Sequence, residues 1–89
     1  MRAVITVIGK DAVGITAAVS AKCAEYQVNI EDITQKVLED LFVMIMIVRV
    51  DMEGSKFTDF VDVMSALGKE KNLEIHTMHE DVFNAMHRI

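Results

Sequence analysis

No proline interrupts this 89-residue chain, and no internal repeat breaks it into modules. It has a single cysteine, Cys23, so an intrachain disulfide framework is excluded and a reducing, cytoplasmic setting is expected. Positive charge is in deficit: nine Lys and Arg stand against fourteen Asp and Glu, a net charge of −5. That balance disfavours binding to a phosphate backbone. Long hydrophobic runs are missing too. Leu41–Val48 is apolar throughout but ends at Arg49, far short of the roughly 20 residues a bilayer demands. No secretory signal is expected either, because Met1-Arg2 is followed by a segment holding Thr6, Gly9 and Lys10.

What is present is an apolar fraction of 52%, high for one small domain and far from a disordered composition. The organising stretch is Val4–Asp32. It predicts a strand over Ala3–Ile8, a loop over Gly9–Gly14, a helix over Ile15–Tyr26 and a second strand from Asn29. Strand 1 is apolar on both faces, as in a strand covered from both sides. A helix beginning just after Gly14 points free N–H groups and its positive dipole end into the loop, where an anion is welcome.

In helix 1, Ile15, Ala18, Val19, Cys23 and Tyr26 form one stripe, and Cys23 inside it reads as a small buried hydrophobe. Strand 2, Asn29–Leu38, mixes Ile30, Ile33 and Val37 with charge, which suits a sheet edge. Glu39-Asp40 predicts a tight hairpin into strand 3, Leu41–Val50, apolar on both faces. Asp51–Gly54 reads as a turn and Ser55 as an N-cap. Phe57, Phe60, Val61, Met64 and Leu67 give helix 2 its apolar stripe, ending at Gly68 or Asn72. Strand 4 is expected over Leu73–Met78. The tail, Glu80–Ile89, reads as a short helix with Val82, Phe83, Met86 and Ile89 on one side.

The order βαββαβ, with right-handed crossovers, gives an α+β ferredoxin-like sandwich. Its four-stranded antiparallel sheet has strands 1 and 3 central, and a C-terminal helix follows. Residues 1–79 form the expected domain and 80–89 its extension. Two helices on one face leave the other with too little cover, and the Met44/Met46 region looks most in need of it. A homodimer, a docked tail, or both are expected.

These residues carry a resemblance. Gly9-Lys10-Asp11-Ala12-Val13-Gly14-Ile15, Val28-Asn29-Ile30-Glu31-Asp32-Ile33 and Phe42-Val43-Met44 resemble the motifs of an ACT domain, a small ligand-binding regulatory module. Asn29 through Gln35 is similar to a segment of free-standing ACT proteins related to the glycine cleavage system transcriptional repressor. The resemblance implies binding rather than catalysis, with no cofactor. It implies a ligand, an amino acid or similar small molecule, held where two domains meet. Asp11, Gly14 and Ile15 would line one side of that site and Asn29 and Ile30 the other. A regulated protein partner is implied as well, with neither nucleic acid nor membrane bound directly. The structural alternatives stay open: Asp11 as a cap, Gly14 as an unusual backbone angle, Asn29 as a helix-exit residue. So does a pure dimerisation or interaction module without a ligand.

Other chemistries fit poorly. His76 and His79 fall on opposite faces of a strand and its exit, and His87 lies on the tail, so no metal site is expected. Gly9 and Gly14 lack the Gly-Lys-Ser/Thr order of a phosphate loop. An acylphosphatase of this topology needs an arginine in the first loop, where this chain has Lys10 and Asp11. An RNA-binding sheet needs exposed aromatics on strands 1 and 3, and Phe42 is alone there.

Overall fold

The computed structural model describes residues 1–10, 13–51 and 55–87, without the Ser55 side chain. Seven elements follow one another: β1 (Arg2–Gly9), α1 (Ile15–Glu25), β2 (Asn29–Leu38), β3 (Leu41–Arg49), α2 (Ser55–Lys71), β4 (Glu74–His79) and α3 (Glu80–Met86). The strands form one antiparallel sheet in the order β2-β3-β1-β4. The two most apolar strands are thus central, as expected. The first residue extends the β1–β3 ladder, since Met1 and Val50 exchange backbone hydrogen bonds at 2.9 and 2.8 Å.

Three residues with positive φ close the connections. Gln27 (φ 58°) ends α1, Glu39 (φ 58°) opens the hairpin and Asn72 (φ 60°) ends α2. Both helix ends have the same paired bonds. Val28 N–H donates to Cys23 O at 2.8 Å and Gln27 N–H to Ala24 O at 3.1 Å. Leu73 N–H donates to Gly68 O at 2.7 Å and Asn72 N–H to Lys69 O at 3.5 Å. This is the Schellman closure, which satisfies carbonyls that a helix end leaves free. Leu73 is consumed by that closure, so β4 begins one residue later than the sequence pattern predicts.

Register sorts the side chains into two faces. Ala3, Ile5 and Val7 share a face with Val48, Met46 and Met44, their partners on β3. Together with Ile15, Val19 and Cys23 of α1 and Phe60, Met64 and Leu67 of α2 they make the buried core. Met44 and Met46 are therefore wholly buried, contrary to the expectation that they lie bare. The open face is the other one, carrying Thr6 and Ile8 of β1 with Leu41, Val43 and Ile45 of β3.

Part of that open face is covered by α3, which contacts β1 and β4. The tail stripe docks only in part. Phe83 is half-buried, whereas Val82 and Met86 remain 50% and 65% exposed, and Ile89 lies outside the described residues. A seven-residue helix turns too few side chains inward to bury four of them. His79 caps it, with Nδ1 accepting from the Asp81 N–H at 3.0 Å. The expected turn residues Met52, Glu53 and Gly54 lie outside what is described, whereas Ser55 is the first residue of α2 and not the cap expected of it. Among the described residues no helix is long and apolar enough to cross a membrane.

Candidate functional site

At the start of α1, Gly14 occupies the N-cap position with φ 76° and ψ −1°. Only glycine adopts that conformation without steric cost, so its structural reading holds. It has no side chain to satisfy the first-turn amides, and its carbonyl accepts from Ala18 N–H at 3.0 Å. Ile15 is buried and anchors the helix start in the core. Next to it, the Thr16 hydroxyl donates to Gln35 Oε1 at 3.1 Å and lies 3.8 Å from Met44 Sδ. Gln35 thus ties the helix start to the edge strand. Asp11 lies outside the described residues.

Gly9, at the other end of the loop, has a packing role. A Cβ there would run into the Leu73 side chain.

Asn29 and Ile30 open β2 at the opposite end of α1. Asn29 is exposed and pairs with Arg49, while Ile30 is half-buried against the core and pairs with Val48. The ladder then slips between Ile30 and Asp32, leaving Glu31 as an extra residue. Its carboxylate receives Arg2 Nε at 3.2 Å and Arg49 Nε at 3.1 Å. Arg2 also lies 3.7 Å from Glu80.

The described candidates therefore form two pairs. Gly14 and Ile15 sit together, Asn29 and Ile30 sit together, and the length of α1 separates them. Eleven helical residues span about 16 Å at 1.5 Å each. Within one chain they do not line one cavity. The sequence reading did not give Gln35 or Glu31 a role. Both were visible only as polar residues in an edge strand, since their partners are distant in sequence.

Reactive groups elsewhere are quiet. Burial pushes the Cys23 thiol up from 9.0 to about 11, which suppresses the thiolate and fits a packing residue. Among the described residues no three His, Cys, Asp or Glu side chains gather to hold a metal.

Comparison with known proteins agrees with this architecture. A UPF0237 protein of Listeria innocua is 42% identical over 89 residues, which cover all of both chains. The structure of an ACT domain protein from Streptococcus pneumoniae superposes with a TM-score of 0.83 at 41% identity, covering 93% of each chain. A structure assigned as a glycine cleavage system transcriptional repressor has a TM-score of 0.73 and 24% identity. It covers 85% of this chain and 43% of that one, and at that identity it speaks for the fold alone. The ACT domain family model matches residues 2–78, and the chain belongs to the ACT domain family.

Proposed function

We propose that this protein is a regulatory ACT module that binds an amino acid or similar small ligand between two copies of itself. Its signal passes to a protein partner. The observation that carries this reading is the position of the two residue pairs along β2. This strand is at the sheet edge, so one row of its N–H and C=O groups has no ladder partner. Ile33 and Val37 of β2 are exposed on either side of Gln35, on the face shared with Met46 and Phe42.

Antiparallel pairing of β2 with β2 of a second copy, about a two-fold axis, sets the start of each strand beside the end of the other. The helix start of one copy then meets Asn29 and Ile30 of its mate, and the pairs separated within one chain become neighbours. Free first-turn amides at Ile15 and beyond suit a carboxylate. Asn29, with Asp11 from the loop, suits an ammonium or a polar side chain. This chemistry binds without a reaction, so the module is not read as an enzyme. The net charge of −5 disfavours a nucleic-acid partner.

Isothermal titration against the twenty amino acids, run beside sedimentation of Ile33→Lys, tests the reading. The wild type should be a dimer that binds one amino-acid class, and Ile33→Lys should lose both properties. A monomeric variant with unchanged affinity would remove the interface from the site. A dimer without heat for any amino acid would leave a pure interaction module.

A further inference from the structure

We propose that His79 is a pH-sensitive latch for α3, closed while Nδ1 of its ring is unprotonated and released when that nitrogen takes a proton. β4 ends at His79 and α3 begins at Glu80, so no linker separates strand from helix and the cap residue is also the hinge. His79 Nδ1 accepts from the Asp81 N–H at 3.0 Å. A backbone N–H can only donate, so this bond needs the lone pair of Nδ1. Imidazole is the side chain whose charge changes between about pH 5 and 8. Acid therefore competes with the Asp81 amide for one nitrogen.

The charges around the ring push the same way. Asp81 Oδ2 lies 3.6 Å from His79 Nδ1. Once protonated, the ring donates to that carboxylate instead of accepting from the amide, which loses its partner. A cation at the cap also opposes the positive end of the helix dipole. Glu80 is engaged with Arg2 of β1 at 3.7 Å, and Arg2 is shared with Glu31 of β2. Ala3, the register partner of His79 on β1, is uncharged. Among the described residues Asp81 is the one carboxylate in ion-pair range of the ring, and no charged group of α2 is.

The far end of α3 does not respond in this way. His87 Nδ1 lies 2.8 Å from Phe83 O, and a carbonyl can only accept, so that ring donates whether neutral or charged. Acid thus frees the start of the helix and leaves its end closed. Seven residues do not hold a helix by themselves, and none of these is buried, so the loss of one cap is felt. Val4, on the face where α3 meets β1, is 5% exposed, against 40% for Ile8 further along the strand. Opening of α3 bares Val4 to water and widens the apolar face. The latch stands independently of the amino-acid site.

The test is a titration of ¹³C,¹⁵N-labelled full-length protein from about pH 8 to about pH 5. Cα shifts of residues 81–86 report the helix, and ANS fluorescence reports the bared face. In the wild type the Asp81 amide should move and helicity should fall from the N-terminal end. The ratio of open to closed α3 should rise about fivefold, as expected for one lost cap, and ANS fluorescence should rise with it. The amides of Ile5 and Met46 should hold still. His79→Asn supplies a cap that does not titrate, so its α3 should stay closed throughout. His79→Ala supplies none, so its α3 should be open already at about pH 8 and change little. A wild type without a pH response in α3 would overturn the proposal. So would a response that persists in His79→Asn, which would assign it to His76 or His87.

Discussion

The two faces of the sheet are built from the same strands and almost the same residue types, yet they end differently. On the helix-covered face Ile5, Val7, Met44, Met46 and Val48 are fully buried. On the other, Ile8, Leu41 and Ile45 are 40%, 37% and 38% exposed despite α3. Hydrophobicity along one strand does not tell these faces apart. The rows across the sheet do. The covered rows run Ile33–Met46–Ile5–Thr77 and Gln35–Met44–Val7–Ile75, whereas an open row runs Thr34–Ile45–Thr6–His76. Polar side chains recur along the open row, at both edges and in the centre.

The largest test of this contrast is a matched pair of truncations. Met46→Ala removes a side chain from a packed interior and should cost about 2–5 kcal/mol. Ile45→Ala, one residue away on the open face, should cost well under half of that because water already reaches it. Urea unfolding of the two variants measures both. Equal losses would mean that the open face is covered in solution, by a second chain or a tighter α3.

Alkaline pH probes the covered face through Cys23. The unfolded thiol ionises near 9.0, while burial holds the folded one up to about 11. Folding therefore favours the neutral thiol, and its contribution is fully present below pH 9. It is lost progressively as pH rises from 9 to about 11. A two-unit difference corresponds to about 2–3 kcal/mol, an order-of-magnitude figure. The informative quantity is wild type minus Cys23→Ala, which isolates the thiol. That difference should shrink as pH rises, and a flat one would show the thiol to be accessible to water.

Ending the chain after His79 tests the open face. No residue of α3 is buried, and Phe83 is its main inward contact. The cost should be about 1 kcal/mol, below that of burying a full aromatic side chain. Loss of solubility should exceed loss of melting temperature, because Ile8, Val43 and Ile45 become free to associate. An unchanged solubility would show that α3 does not shield the sheet.

Most of the fold was legible because period and punctuation agreed in each segment. Strand 1, helix 1 and the Glu39-Asp40 hairpin fall within a residue of their expected bounds. Sidedness was not legible, because β3 is apolar on both faces and only its register with β1 puts Met44 and Met46 on the helix-covered one. The candidate site was legible as residue types but not as an arrangement. A strand–helix–strand unit must place the helix start and the next strand start at opposite ends, so Gly14 and Asn29 could have been separated from the sequence. Thr16 with Gln35, and Thr6 with His76, join elements far apart in the chain, and no linear spacing marks them.

The smallest expected effect sharpens the contrast at the end of the sheet where β2 begins. Arg2 and Arg49 are register partners, so two like charges face each other directly, an arrangement that destabilises a sheet. The bulge after Ile30 brings Glu31 to both, at 3.2 and 3.1 Å. Attraction to one carboxylate thus offsets repulsion between the two guanidinium groups. All three side chains are partly exposed, so solvent screens the network and its worth is a few tenths to about 1 kcal/mol. Glu31→Gln keeps the shape and removes the charge, and it should destabilise by that amount in dilute buffer. Near 1 M salt the Debye length falls to about 3 Å, and the difference from wild type should almost vanish. A larger loss that salt does not reduce would mean that Glu31 holds the bulge by hydrogen bonding rather than by charge, and Asn29 and Ile30 would then move with it.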